Sequence, residues 1–261
     1  MNIIETHNLN YKTLNNYLFK NINLEIDEGS FTSIIGENGV GKTTLIKILS
    51  GSMITDNNVK IDNIIVNKFN IEEIMKKTSC IKSYNEFFSK TVLDEILQDK
   101  RNVTIYDVNR VKKLLNDFGL LNIENISPLK LSYAENQIIA LIKVIVKKPR
   151  ILFMDNAFSR LDDEKRLELL NYIKNYAKEN NITVVYTTNI VKDLSLSDRI
   201  LLIKNNTISF DGTYDELLKL DLNKEGIGFP FEIEVSNKLS MYDLINKDHL
   251  DMDDLVEDLC N

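Results

Sequence analysis

The chain has 261 residues, 43% of them hydrophobic, and a formal net charge of −7. That length holds one large domain, or a domain with a small appendage, and enough apolar residues for a sizeable core. The acidic balance argues against broad nucleic-acid binding, and two cysteines, Cys80 and Cys260, are too few for a disulfide framework and suit a reducing compartment. Met1-Asn2-Ile3-Ile4-Glu5 does not read as a signal peptide. Residues 3–6, 8–12 and 22–26 read as strands, and Asp27-Glu28-Gly29 as a turn. Residues 31–35 form a buried strand by composition, and residues 45–49 a helix ending at Gly51. Residues 59–62 and 64–66 predict a hairpin around Asn63, followed by a short helix at 71–76 and a strand at 79–81. Helical periods cover 91–98, 106–118 and 132–147, and Pro149 stops the last. The most apolar stretch, 138–146, is short and contains Lys143, so nothing is expected to span a bilayer. Residues 151–154 are a near-continuous apolar run entering Asp155, 163–179 an amphipathic helix, and 182–186 a β-branched strand. Residues 199–204 and 207–210 predict a hairpin around Asn205-Asn206, and Thr213-Tyr214-Asp215-Glu216 a capping box that opens another helix. Strands alternating with helices in the second half imply an α/β fold with a parallel sheet.

Gly36-Glu37-Asn38-Gly39-Val40-Gly41-Lys42-Thr43-Thr44 fits the P-loop pattern GxxxxGK[ST], with an extra glycine at Gly39. It lies between a strand and a helix, which is the context the pattern requires. Gly36, Gly39 and Gly41 lack a Cβ, so the backbone can curl around an oxyanion with its N–H groups turned inward. The helix that begins near Lys42 adds the positive end of its dipole. Lys42 can reach the β- and γ-phosphates, and Thr43 can offer a hydroxyl to Mg²⁺. Asn38 and Thr44 complete the nucleotide-binding set, so the expected ligands are ATP and Mg²⁺. The strand ending in Asp155 is a second signal. It sets a carboxylate at the C-terminal edge of a sheet, where Asp155 can hold Mg²⁺ beside Thr43.

Around these two signals the chain resembles the ATP-binding cassette (ABC) ATPases. Leu131-Ser132-Tyr133-Ala134-Glu135 stands where the family carries its LSGGQ signature, and residues 131–162 align without a gap through Lys148-Pro149, Asp155 and Ser159-Arg160-Leu161-Asp162, the family's SxLD D-loop. The switch segment, residues 184–189, precedes Ser197-Asp198-Arg199 as the family's TH pair precedes its (A)DR. The resemblance covers about residues 3–216. It implies a P-loop NTPase (RecA-like) cassette over residues 1–216, with an antiparallel β subdomain and an α-helical subdomain at about 86–147. It also implies that two cassettes dimerise head to tail around two ATP molecules. Each ATP then lies between one chain's P-loop and the other chain's signature serine, here Ser132. Closure and hydrolysis drive a partner, most often an integral-membrane permease. Of Tyr11, Thr13 and Tyr17, which lie where the family stacks an aromatic on adenine, Tyr11 fits best; otherwise it is an ordinary strand residue.

The chain departs from this family where hydrolysis is managed. The catalytic glutamate after the Walker B aspartate is replaced by Asn156, which cannot take a proton. Thr188 corresponds to the switch histidine. No Q-loop glutamine occurs in residues 79–88, where Lys82 or Ser83 falls nearest. In the signature, Tyr133 and Ala134 replace both glycines, a change expected to crowd phosphate, and Glu135 brings a negative charge near it. The chain therefore reads as a cassette able to bind ATP but poor at hydrolysing it alone, or as a slow enzyme with tolerated variants. Pairing with an intact second cassette would divide the defects between two sites, so a heterodimer is expected.

Residues 217–261 resemble the C-terminal extension of energy-coupling-factor (ECF) ATPases, a proline-containing segment followed by a helix that helps pair two ATPase subunits. In this chain these are Gly226-Ile227-Gly228-Phe229-Pro230-Phe231, residues 239–245 and residues 251–259. The last is equally a solvated terminal helix with Met252, Leu255, Val256 and Leu259 on one face. Thr91-Val92-Leu93-Asp94-Glu95-Ile96 resembles the TVEDE run of that group, where acids near a groove could receive an arginine from a membrane subunit; Glu86, Asp94 and Glu95 are the candidates, or else they form a solvated helix start. The implied role is the ATP-binding subunit of a vitamin or metal-ion importer, peripheral on the cytoplasmic face of the membrane. The rivals are a non-transport ABC protein acting on ribosomes or DNA, and a pseudo-ATPase with a regulatory or structural role.

Overall fold

The computed structural model describes residues 1–220 except 14, 15, 56, 57 and 101, and beyond 220 only Val235, Leu239, Tyr242 and Val256. Apart from those isolated positions, the expected elements at 226–231, 239–245 and 251–259 lie outside the described residues. The chain begins with two long antiparallel strands, β1 (Asn2–Lys12) and β2 (Tyr17–Asp27). The two short strands expected at 3–6 and 8–12 are one. Asn8 enters the left-handed region at φ 49, and the register shifts between Thr6 and Leu9, so the apparent break is a bulge within one strand.

The P-loop unit follows as β3 (Phe31–Gly36) and α1 (Lys42–Leu49). Next come β4 (Val59–Ile61), β5 (Ile64–Ile65), α2 (Ile71–Lys77) and β6 (Thr78–Lys82). Three helices separate β6 from β7: α3 (Val92–Leu97), α4 (Ile105–Asp117) and α5 (Tyr133–Lys147). Then β7 (Ile151–Asp155), α6 (Asp163–Asn180), β8 (Thr183–Thr187), β9 (Arg199–Lys204), β10 (Thr207–Gly212) and α7 (Tyr214–Leu218) complete the described fold. Asn205 and Asn206, at φ 50 and 68, make the two-residue turn between β9 and β10 that the sequence predicts.

The strands form two sheets. The smaller has the order β2-β1-β4-β5 and is antiparallel. The larger has the order β10-β9-β3-β8-β7-β6, parallel except for β10. One face of the larger sheet carries Ile34, Ile151, Phe153 and Val185 against Leu45, Ile48 and Leu49 of α1. The other carries Leu152, Met154, Val184 and Tyr186 against the apolar faces of α5 and α6. The crossovers therefore bury both faces, and the loops after β3, β7 and β8 emerge at one edge.

Glu95 departs from expectation. It is 0% exposed rather than open to a partner's arginine. Its carboxylate accepts the backbone N–H groups of Phe88 (3.0 Å) and Ser89 (2.9 Å) and the Lys143 ammonium (2.7 Å). Asp94 is held by the Thr91 hydroxyl at 2.7 Å. Glu86 and Asp94 remain exposed, and Glu86 stands beside a groove of about 560 Å³ that Lys82, Tyr84, Phe88 and Lys143 also line.

Candidate functional site

The P-loop conformation depends on two glycines. Gly39 lies at φ 84 with open space where a Cβ would stand. Gly41, the N-cap of α1, lies at φ 111, and a Cβ there would come within 2.9 Å of Phe19 Cζ. The first position needs glycine for its backbone angle alone, the second also for close approach to β2. The Lys42 ammonium donates to the carbonyls of Gly36 (2.6 Å) and Glu37 (2.9 Å), within its own loop. Burial pushes the Lys42 pKa down, against the opposing charge of Asp155. A cation held there by two neutral carbonyls is a strong attractor for an anion.

The Thr43 hydroxyl donates to Asp155 Oδ1 at 3.0 Å, and the Thr187 hydroxyl to the same oxygen at 3.0 Å. A hydroxyl and one carboxylate are the hard oxygen donors Mg²⁺ takes from a protein when phosphates supply the rest. One carboxylate and one hydroxyl leave the other coordination positions to phosphate and water, so the donor set suits a nucleotide-borne cation. Asn38, Gly39, Gly41, Lys42, Thr43 and Thr44 border one cavity of about 400 Å³ together with Asp155, Asn156, Thr187 and Asn189. Gly36, at the end of β3, approaches β9 so closely that a Cβ would meet the Ile203 carbonyl at 2.6 Å.

Asn156 enters the left-handed region at φ 50, and its N–H donates to the carbonyl (3.0 Å) and hydroxyl (2.9 Å) of Thr187. The peptide just past Asp155 is thus fixed to the end of β8, and its side chain brings an amide, not a base, to the cavity.

Thr188 and Tyr11 are not brought there. Thr188 is fully buried, with its hydroxyl on Asp193 Oδ2 at 3.0 Å. The residue of the switch segment that faces the P-loop is Asn189, whose Nδ2 donates to Asn38 Oδ1 at 2.7 Å. Along an extended segment neighbouring side chains point opposite ways, so one position decides which residue meets the ligand. Tyr11 borders a separate cavity of about 380 Å³ with Tyr17 and Ile54, and Thr13 and Leu18 are the β1–β2 residues that border the P-loop cavity. Ser132 is exposed at the start of α5, apart from this chain's own P-loop cavity.

At the signature position the sequence conceals a capping box. The Ser132 backbone N–H and hydroxyl both lie 2.8 Å from Glu135 Oε2, and the Glu135 N–H donates back to Ser132 Oγ at 3.3 Å. Glu135, expected as a misplaced charge, satisfies the open N-terminus of α5. Tyr133, expected to crowd phosphate, turns inward: its hydroxyl is buried without a partner among the described residues, and Arg160 lies 5.8 Å from its ring centroid. Lys82 pairs with Asp155 in the sheet register, and Ser83 N–H donates to the Asp155 carbonyl at 3.0 Å. Gln137, which sequence reasoning passed over, donates from Nε2 to the carbonyls of Lys82 (3.2 Å) and Ser83 (3.1 Å). Gln137 directly precedes the apolar run 138–146, and the sequence pattern does not set it apart from Asn136 beside it.

A family profile described as ABC transporter matches residues 19–159. The energy-coupling factor transporter ATP-binding protein EcfA1 of Oenococcus oeni is 31% identical over 241 aligned positions, covering 88% of this chain and 87% of that protein. The protein EcfA of Pediococcus pentosaceus, described in the same words, is 32% identical over 277 aligned positions, covering 99% and 97%. Among solved structures, cbiO1 from Clostridium perfringens, described as part of the ABC transporter complex cbiONQ, superposes with a TM-score of 0.75 at 22% identity, covering 92% of this chain and 95% of that one. The structural match shows a shared fold.

Proposed function

The chain belongs to the ABC transporter family as one of its ATP-binding domains, and from that membership we propose that it is the ATP-binding subunit of an energy-coupling-factor-type importer, working as the weaker half of an ATPase pair. One observation carries this reading. Thr43 and Asp155 meet beside a formed P-loop, while the neighbouring side chains that would manage a proton are the amides of Asn156 and Asn189. Binding and hydrolysis are thereby separated. Lys42 and the loop N–H groups take the triphosphate, and Thr43 and Asp155 take Mg²⁺. Mg²⁺ held by Thr43 and Asp155 would offset the charge of the bound triphosphate. The missing general base is worth about 10²–10⁴-fold in rate.

The relatives' names support the importer class, and the cbiO1 description supports work within a multi-subunit complex. A second cassette with a carboxylate at the Asn156 position would face Ser132 across the interface and turn over there. An integral-membrane subunit, on the cytoplasmic face where the pair would sit, would receive the motion. The cargo, a vitamin or metal ion, would be chosen by another subunit. The two amides also favour a second reading, in which nucleotide acts only structurally.

The test is ATP binding and hydrolysis by the purified chain, alone and with the cassette that co-purifies with it from membranes. The chain alone binds ATP and loses binding on Lys42→Ala. The pair hydrolyses ATP, and Ser132→Ala in this chain lowers that rate. Turnover by the chain alone at an ordinary rate of about 1–10³ s⁻¹ would refute the pairing. Transport that survives Lys42→Ala would leave the structural reading standing.

A further inference from the structure

A carboxylate behind the nucleotide cavity gathers three donors yet touches no ligand-facing group. Asp193 lies in a 3₁₀ turn, Val191–Leu196, and is 0% exposed. Its Oδ1 accepts from Arg166 Nε at 2.8 Å. Its Oδ2 accepts from the Tyr186 hydroxyl at 2.8 Å and the Thr188 hydroxyl at 3.0 Å. Arg166 and Tyr186 are themselves buried. A carboxylate this far from water is stable only when it is paired and hydrogen-bonded, so the three donors hold it in place and are held by it. Arg166 is fixed in turn by Asp163 (2.8 Å) and the Leu161 carbonyl (3.4 Å).

The anchored carboxylate sets the course of the loop after β8. Thr188 donates its hydroxyl hydrogen to Asp193, and its Oγ1 accepts the Ile190 N–H at 3.0 Å. That second bond closes a side-chain turn across one residue, Asn189. With Thr188 drawn inward and Ile190 N–H bonded back to it, Asn189 is the apex and its amide meets the P-loop.

We propose that Asp193 is the positioning residue of the nucleotide site: through the Thr188 hydroxyl it aims the Asn189 amide at the γ-phosphate end of the bound triphosphate. The inference rests on the ATP-binding reading above. It assigns Thr188 an indirect role, as the link between a buried anchor and the side chain that touches nucleotide. ATP carries the γ-phosphate and ADP does not, so the link affects ATP and spares ADP.

Thr188 variants test this while leaving the bonds of Arg166 and Tyr186 to the buried carboxylate in place. Affinities for Mg-ATP and Mg-ADP are measured on the full chain by equilibrium titration. Thr188→Val keeps the shape and removes the hydroxyl. It weakens ATP binding roughly fivefold to tenfold, as expected for one well-placed hydrogen bond, and changes ADP binding less than twofold. Asn189→Ala does the same, and the double variant adds no further loss, because the first residue acts through the second. Thr188→Ser restores the ATP preference. Equal weakening of ATP and ADP by Thr188→Val, or additive losses in the double variant, would overturn the proposal. So would an unchanged ATP affinity. Lys42→Ala separates the layers: if it leaves ATP affinity intact, the nucleotide reading itself falls; if it abolishes binding while Thr188→Val treats ATP and ADP alike, only the positioning role falls.

Discussion

Asn189 and Asn38 share a 2.7 Å hydrogen bond that joins the loop after β8 to the P-loop. Both side chains are amides, and neither gains or loses a proton near neutral pH. With Asn156 on the same cavity, the described residues that border it offer one carboxylate, Asp155, which already faces Thr43, and at position 156 an amide that cannot activate water.

Restoring a carboxylate at that point raises hydrolysis. Asn156→Glu increases single-turnover ATP hydrolysis by about 10²-fold, the lower end of the range for a positioned general base. The same change lowers stability by roughly 1–2 kcal/mol, because a side chain longer than asparagine's is penalised in the left-handed backbone region. Radiolabelled phosphate release and thermal unfolding of one preparation measure both effects.

The Thr43–Asp155 contact predicts a divalent-dependent share of nucleotide affinity. In the wild type, ATP binds more tightly with Mg²⁺ than with a chelator. Asp155→Asn loses most of that difference, a shift on the order of tenfold, or about 1.4 kcal/mol. Titration of a fluorescent ATP analogue with and without Mg²⁺ reads the loss. An undiminished Mg²⁺ effect would show that the metal sits elsewhere.

Two loop glycines separate backbone strain from steric conflict. Gly39→Ala meets no neighbour and costs about 1–2 kcal/mol from its angle. Gly41→Ala bears the same kind of strain and also forces its Cβ against Phe19 and Leu18, so it costs more and weakens ATP binding more severely. Urea unfolding and nucleotide titration of the two variants give the comparison.

The Glu95–Lys143 pair predicts a pH signature. Burial raises the Glu95 pKa, but the Lys143 ammonium and the N–H groups of Ser89 and Phe88 outweigh it and leave the carboxyl below its usual range. A carboxyl lowered by folding contributes stability that is complete above its unfolded value of about 4.3 and is lost as pH falls through the folded value. Lys143→Met therefore destabilises by about 3 kcal/mol at pH 7, at the low end for a broken buried pair because Lys143 is 22% exposed. The gap to wild type closes as the pH is lowered below about 4, which urea midpoints at stepped pH measure.

Much of this architecture is legible in residue order. The P-loop, the apolar strand into Asp155 and the asparagine turn at 205–206 each pair a local pattern with a local physical cause. The bulge at Asn8 is not, because a left-handed asparagine inside a strand and one between strands look alike in sequence. The choice between Thr188 and Asn189 turns on a single step of alternation, which a buried aspartate settles from outside the segment. Arg166 and Asp193 are 27 residues apart and meet only once α6 has packed on the sheet. Glu95 and Lys143, 48 apart, read as surface charges until their helices are side by side. Patterns of period and spacing reveal elements; they do not reveal which polar groups those elements bring together in the interior.

The place of β3 in the larger sheet has a consequence for the lifetime of the site. β3 is paired on one side with β8 and on the other with β9, while β6 and β10 are the outermost strands. Backbone amides of a doubly flanked strand exchange with solvent only when the sheet as a whole opens, whereas the margins fray independently. The P-loop is therefore attached to one of the two central strands of the sheet, the other being β8, and Lys82 to the end of outermost β6. In deuterium labelling, protection should decay from β6 and β10 inward and vanish last at the central pair, residues 31–36 and 183–187, so that the strand bearing the P-loop outlasts openings at the margins.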